Sequence, residues 1–154
     1  MPGADEAALV REAIRLAAEA AARGDPPFGA ILLDPQGDVV ARGSNHQVSE
    51  RDPTAHGEVE VVRAAARDGH RPPLAGYTIV INAEPCSMCA SLLVKVGISR
   101  IVFGAAHEPH MDPDLGLDAV LARSHRPPDV SGGILADEAA AQIATSRARG
   151  PSPD

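Results

Sequence analysis

Cys86 and Cys89 are the only cysteines in this chain of 154 residues, and they stand three apart in the string EPCSMC, Glu84 to Cys89. On a helix that spacing puts both sulfurs on one side. A helix N-terminus lowers the pKa of a thiol, and the thiolate is the form that binds metal. Upstream lies PTAHGEVE, Pro53 to Glu60, in which Pro53 is expected to open a helix and His56 to sit on its first turn. Two thiolates and an imidazole are three of the four ligands that zinc takes. No third cysteine closes the set, and an open fourth position marks a catalytic ion rather than a structural one. One Zn2+ per chain is expected, on His56, Cys86 and Cys89.

Glu58 supplies the missing chemistry. Two thiolates cancel much of the metal's charge, so a nearby base is needed to draw a proton from water, and Glu58 is the candidate. Residues i and i+2 do not share a face of a regular helix, so His56 and Glu58 converge only on an irregular first turn. Pro53 and Gly57 make such a turn available. A CxxC pair can also be a redox couple, but the nearby H-x-E string favours metal. His46, His70, His107, His110 and His125 are read as structural.

These groups must be positioned by regular elements, and the chain supplies them in alternation. Ala4 to Arg23 has apolar residues at helical spacing and stops at Gly24 with Pro26 and Pro27. Phe28 to Leu33 reads as a buried strand, paired as a hairpin with Val39 to Gly43 across Asp34–Asp38. A helix from Pro53 to about Gly69 follows, then the β-branched strand Thr78 to Asn82 and a helix from Pro85 to Val96, ended by Gly97. Ile98 to Gly104 is a further strand. A loop over His107–Gly116 leads to a short helix at Leu117 to Arg123, an extended Val130 and a last helix, Ile134 to Arg147. The order is that of an α/β fold with a sheet covered on both faces. Residues 1–149 are expected to form one domain, with 150–154 a disordered tail.

Composition narrows the function classes. Hydrophobic residues make up 44% and charged residues 23%, ordinary for a globular chain. The formal charge of -7 argues against a phosphate-backbone binder, and 2% aromatic residues offer no base-stacking platform. Asp5, Glu6, Arg11 and Glu12 do not suit a signal peptide, and no apolar run spans a bilayer, so a reducing cytoplasm and no membrane are expected. No phosphate-binding glycine motif is present.

H-x-E with P-C-x-x-C is the signature of the zinc deaminases. The chain resembles the cytidine deaminase-like superfamily over most of its length, nearest the branch of guanine deaminases and bacterial tRNA adenosine deaminases. The resembling pieces are Pro27–Leu33, Asn45, Asp52–Glu60, Glu84–Ala90, Arg100–Ala105 and Gly133–Ala140. The resemblance implies a three-layer α/β/α sandwich on a mixed five-stranded sheet, and a homodimer. It makes His56, Cys86 and Cys89 the zinc ligands and Glu58 the proton shuttle. Asn45 matches an asparagine that hydrogen-bonds the substrate ring, and Phe28 falls on the pocket wall; a turn residue and plain core are the alternatives for these two. Gly57 stands where alanine is usual, its N–H a donor for a ring carbonyl.

For the substrate, the Gly133–Ala140 stretch looks like the tRNA adenosine deaminases, whereas the net charge and the absence of a basic tail favour a free base. The expected substrate is a small heterocyclic base of the guanine, cytosine or amino-s-triazine type, with nucleic acid disfavoured. A tRNA adenosine deaminase and a non-catalytic zinc-stabilised binding module are the alternatives. A second carboxylate is wanted for the base's N–H donors, with Asp118 the first candidate and Asp114 the next.

Overall fold

The computed structural model describes residues 3–108, 111–112 and 115–149; Asp114 and the 150–154 tail lie outside them. Its elements run α1 (Gly3–Ala22), β1 (Gly29–Leu33), β2 (Val39–Ser44), α2 (Gly57–Arg67), β3 (Thr78–Ala83), α3 (Ser87–Val96), β4 (Arg100–Ala105), α4 (Leu117–Leu121), β5 (Asp129–Ser131) and α5 (Ala136–Ala148). The five strands form one mixed sheet in the order β2-β1-β3-β4-β5. β1 is antiparallel to β2 and β3, and β3, β4 and β5 are parallel.

Two apolar clusters cover the faces. Ala30, Leu32, Ile79, Ile81, Ile101 and Phe103 pack with Val61 and Ala65 of α2 and with Ala90 and Leu93 of α3. Ile31, Leu33, Val80 and Val102 pack with Val10, Ala13, Ile14 and Leu16 of α1 and with Ala139 and Ile143 of α5. Strands buried on both faces read as unbroken apolar runs, which is why GAILL and TIVINA do not alternate. The architecture is the expected three-layer sandwich.

Two glycines set how closely the helices approach. A Cβ on Gly29 would lie 2.6 Å from the Ala13 carbonyl oxygen, so α1 rests directly on β1. A Cβ on Gly43 would lie 2.9 Å from the Val61 nitrogen and 3.2 Å from the Gly57 oxygen, so the start of α2 is pressed onto β2. Beside Gly29, the buried side chain of Asn82 extends the sheet. Its Oδ1 accepts the Gly29 N–H (2.9 Å) and its Nδ2 donates to the Pro27 carbonyl (3.0 Å).

Two helix starts fall later than the prolines suggest. Pro53 does not open α2, because the Asp52 Oδ1 accepts the N–H (2.8 Å) and the hydroxyl (2.6 Å) of Thr54 and closes a turn there. The helix begins at Gly57 with His56 as its N-cap residue. Likewise α3 begins at Ser87, with Cys86 rather than Pro85 at its boundary.

Residues 45–52 carry no regular structure and are organised by one buried carboxylate. Asp25 accepts hydrogen bonds from the N–H groups of Val48 (3.0 Å) and Ser49 (2.8 Å), from the Ser49 hydroxyl (2.8 Å) and from Arg23 (3.1 Å). Burial alone would push this carboxyl upward; the bonds from Ser49, Arg23 and Val48 outweigh it and hold Asp25 below its ordinary value. A carboxyl depressed by folding stabilises the protein above its unfolded pKa and loses that contribution as pH falls through the folded value. Asp25→Asn is therefore expected to cost about 1–3 kcal/mol at pH 7. In urea melts, the gap between variant and wild type should close toward pH 3; a gap independent of pH would remove Asp25 from this role.

Candidate active site

The chain enters the site twice, each time through a helix start. β3 passes into Glu84, whose N–H donates to the Ala105 carbonyl (2.8 Å), and the backbone turns at Cys86 in an extended conformation (φ -70, ψ 173). His56 caps α2 in the same way (φ -67, ψ 156). An extended N-cap residue leaves the helical repeat. That is how His56 and Glu58 converge although i and i+2 diverge on a regular helix. Neither residue makes a side-chain capping hydrogen bond; the imidazole and the sulfur face each other instead. At α3, which has no acidic residue in its first turn, Asp112 takes over: its Oδ2 accepts the Ser87 N–H at 2.6 Å.

The His56 Nδ1 lies 3.6 Å from the Cys86 Sγ and 3.5 Å from the Cys89 Sγ, and the three atoms lie within 4.8 Å of one another. Zinc bonds of about 2.3 Å to sulfur and 2.0–2.1 Å to nitrogen, at a tetrahedral angle, place N and S about 3.5 Å apart. The group fits one zinc ion.

Electrostatics point the same way. Cys86 is held down to about 4, chiefly by its hydrogen bond with the Cys89 thiol and, against the cost of burial, by His56. Cys89 is pushed up by donating that bond and by burial beside Glu58. Burial, and then the charge of Cys86, push Glu58 upward as well. Three potential anions crowd one interior, and a divalent cation relieves all three.

Above them opens a small cleft lined by Phe28, Asn45, Gln47, His56, Glu58, Ile81, Ala83, Glu84, Cys86, His107 and Met111. The four residues singled out for chemistry are together, and Asn45 and Phe28 are on the wall. Phe28 also packs on the α1 face of the core. Gly57 occupies the first position of α2 between His56 and Glu58, and a Cβ there would meet nothing closer than 3.5 Å. Asp118 is not in the wall. It is exposed on α4, where its negative charge helps burial push Glu84 upward. Asp114 lies outside the described residues.

The carboxylate that lines the cleft besides Glu58 is Glu84, and sequence alone gives it no role. Its place at the end of β3, just before Pro85, was a usable signal. His107, read as structural, is also in the wall, and its buried Nε2 has no hydrogen-bond partner among the described residues. Gln47 and Met111 carried no sequence signal.

Comparison with known proteins adds relatives. Residues 4–105 match the family model described as the cytidine and deoxycytidylate deaminase zinc-binding region. A tRNA(Ile)-lysidine synthase of Deinococcus radiodurans is 38% identical over 134 residues, 86% of this chain but 23% of that protein, so the chain spans about a quarter of its length. A tRNA-specific adenosine deaminase of Haemophilus influenzae is 32% identical over 145 residues, 89% of this chain and 80% of that protein. A structure solved in a study of A-to-I editing by tRNA:A34 deaminases superimposes with a TM-score of 0.76 at 31% identity, covering 87% of this chain and 97% of that one. A guanine deaminase structure from Nitrosomonas europaea shares the fold, with a TM-score of 0.80 at 23% identity over 92% of this chain and 84% of that one.

Two outcomes follow. Protein purified reduced and without chelator should carry about one zinc per chain by elemental analysis, and Cys86→Ser with Cys89→Ser should carry none; zinc retained by that variant would place the ion elsewhere. Gly57→Ala fits without strain and should raise stability by about 0.4–1 kcal/mol, with zinc content unchanged. A fall in melting temperature would show that the first turn needs glycine.

Proposed function

The chain belongs to the cytidine and deoxycytidylate deaminase family, and from that premise we propose that it is a hydrolytic deaminase of a free amino-substituted heterocyclic base, with His56, Cys86 and Cys89 as its zinc ligands. The observation that carries the reading is Glu58. It is a carboxyl 5% exposed that is not one of the three ligand groups, yet it shares their cavity and lines the cleft. Zinc, when bound, supplies the positive charge that makes water a competent nucleophile near neutral pH.

The rest is the work of the chain's own residues. Glu58 accepts a proton from water as the oxygen bonds to the amine-bearing ring carbon, then delivers a proton to the adjacent ring nitrogen. The same carboxyl then takes the proton of the new hydroxyl and passes it to the amine, the carbon–nitrogen bond breaks, and ammonia leaves with a carbonyl in its place. A carboxyl pushed upward by burial suits a group that must both take and give the proton. Phe28 and Ile81 give the cleft apolar surface for a flat ring.

A free base is favoured because no Lys or Arg is among the cleft-lining residues and the chain's formal charge is -7. Deamination of adenosine in tRNA is the second reading, favoured by the identity to the Haemophilus influenzae protein and to the tRNA:A34 deaminase structure. No helix of the described residues is long and apolar enough to cross a membrane. The proposal includes a homodimer working in a reducing cytoplasm, where both thiols stay available to metal.

Ammonia release from guanine, cytosine, adenine, an amino-s-triazine and a tRNA anticodon hairpin decides between the readings. Turnover of a free base is expected; turnover of the hairpin alone would select the second reading, and zinc with no turnover a binding module. Glu58→Gln should keep its fold and zinc and lose about 10³–10⁴-fold or more in kcat. Activity within tenfold of wild type would assign the proton transfers to another group.

A further inference from the structure

Asn45 is less available to a substrate than its place in the cleft suggests. Its N–H donates to the Phe28 carbonyl (2.9 Å), and its own carbonyl accepts from Arg23 (2.9 Å). Its side-chain Oδ1 accepts the backbone N–H of Gln47 at 2.8 Å, and its Nδ2 lies 2.6 Å from the Gln47 Oε1.

These contacts fix both amides without ambiguity. A backbone N–H can only donate, so the Asn45 atom facing it is the oxygen. The other Asn45 atom is then nitrogen and donates, so the Gln47 atom facing it is oxygen. The Gln47 nitrogen is left with two hydrogens and no described partner. The Gln47 backbone is held as well, its carbonyl accepting the Asp52 N–H at 3.0 Å. Gln47 therefore lines the cleft as a positioned donor pair, and Asn45 keeps one free hydrogen.

We propose that Gln47 is a specificity-determining residue of the deaminase, its Nε2 donating to an acceptor atom of the substrate ring and Asn45 holding it in aim. The acceptor is a ring carbonyl oxygen or an unprotonated ring nitrogen, because two N–H donors cannot satisfy a ring N–H or an exocyclic amine. The inference rests on the deaminase reading above.

Two substitutions separate recognition from scaffolding. Gln47→Glu keeps an oxygen for the Asn45 Nδ2 and removes both donors, whereas Gln47→Met removes both features. Kinetics are measured as ammonia release from cytosine, guanine, adenine and a tRNA anticodon hairpin, with zinc content and melting temperature as controls. For the best substrate of the wild type, KM should rise about tenfold or more in both variants, with a smaller change in kcat. Wild-type kinetics in Gln47→Glu, whether or not Gln47→Met is impaired, would reduce Gln47 to a support for Asn45 and overturn the proposal. If no probe releases ammonia, the deaminase reading fails, and calorimetric binding of the same four probes to Glu58→Gln protein, with and without Gln47→Glu, decides the matter. A probe that binds only while Gln47 is intact upholds the role; equal binding, or none, overturns it.

Discussion

Glu58, Cys86 and Cys89 bring three acidic groups into one cavity, and taking each from water makes its negative charge costly. The conflict shows within the site itself, where Cys86 is favoured as thiolate chiefly because Cys89 remains the donor, while Glu58 is driven toward its neutral form. A divalent ion held by His56, Cys86 and Cys89 would favour the anionic form of all three acids. The free energy of that binding then also stabilises the fold, because the unfolded chain does not hold the three ligands together. The rest of the architecture serves this convergence. The close contact at Gly43, which presses the start of α2 onto β2, and the passage of β3 directly into α3 bring those two helix starts to one place.

The approach to the cleft depends on a second buried charge. Asp25 gathers Val48, Ser49 and Arg23, while Arg23 reaches Ser44 and the Asn45 carbonyl. Turns closed by the side chains of Asn45 and Asp52 complete a segment that has no helix or strand yet few uncommitted backbone groups. Each bond adds about 1 kcal/mol net, so the segment is held by their number rather than by packing. An amide aimed from such a segment meets substrate already ordered.

Much of this was legible in the sequence, for reasons that also explain what was not. Strands such as Thr78–Ala83 and the α1 helix follow from periodicity, and the His56, Glu58, Cys86 and Cys89 set follows from residue type and spacing, since few chemistries need that combination. The start of α2 was misread because Pro53 looks like a first helical residue, and nothing local reveals that the Asp52 side chain closes a turn around Thr54. Glu84 and His107 were missed for a different reason. Their place in the cleft is set by where β3 and β4 end side by side, a tertiary fact. The second carboxylate was sought in the loop after β4. Of that loop's described acidic residues, Asp112 caps α3.

That capping bond fixes one side of the loop, and α5 fixes the other. Arg147 donates to the Glu108 carboxylate at 2.8 Å and reaches the Met111 sulfur at 3.5 Å, so the last helix holds a residue of the cleft wall. The same contacts bear on what can approach. Arg23 and Arg147, which hydrogen-bond the cleft-lining residues Asn45 and Met111, are paired with Asp25 and Glu108. A phosphate at the mouth would have to compete with a carboxylate already in place at either cation, and it would gain little from counterion release in doing so. A neutral base, the substrate class proposed above, makes no such demand. It needs an apolar wall, a few aimed donors and a proton carrier, and Phe28, Gln47 and Glu58 can supply these without disturbing either ion pair.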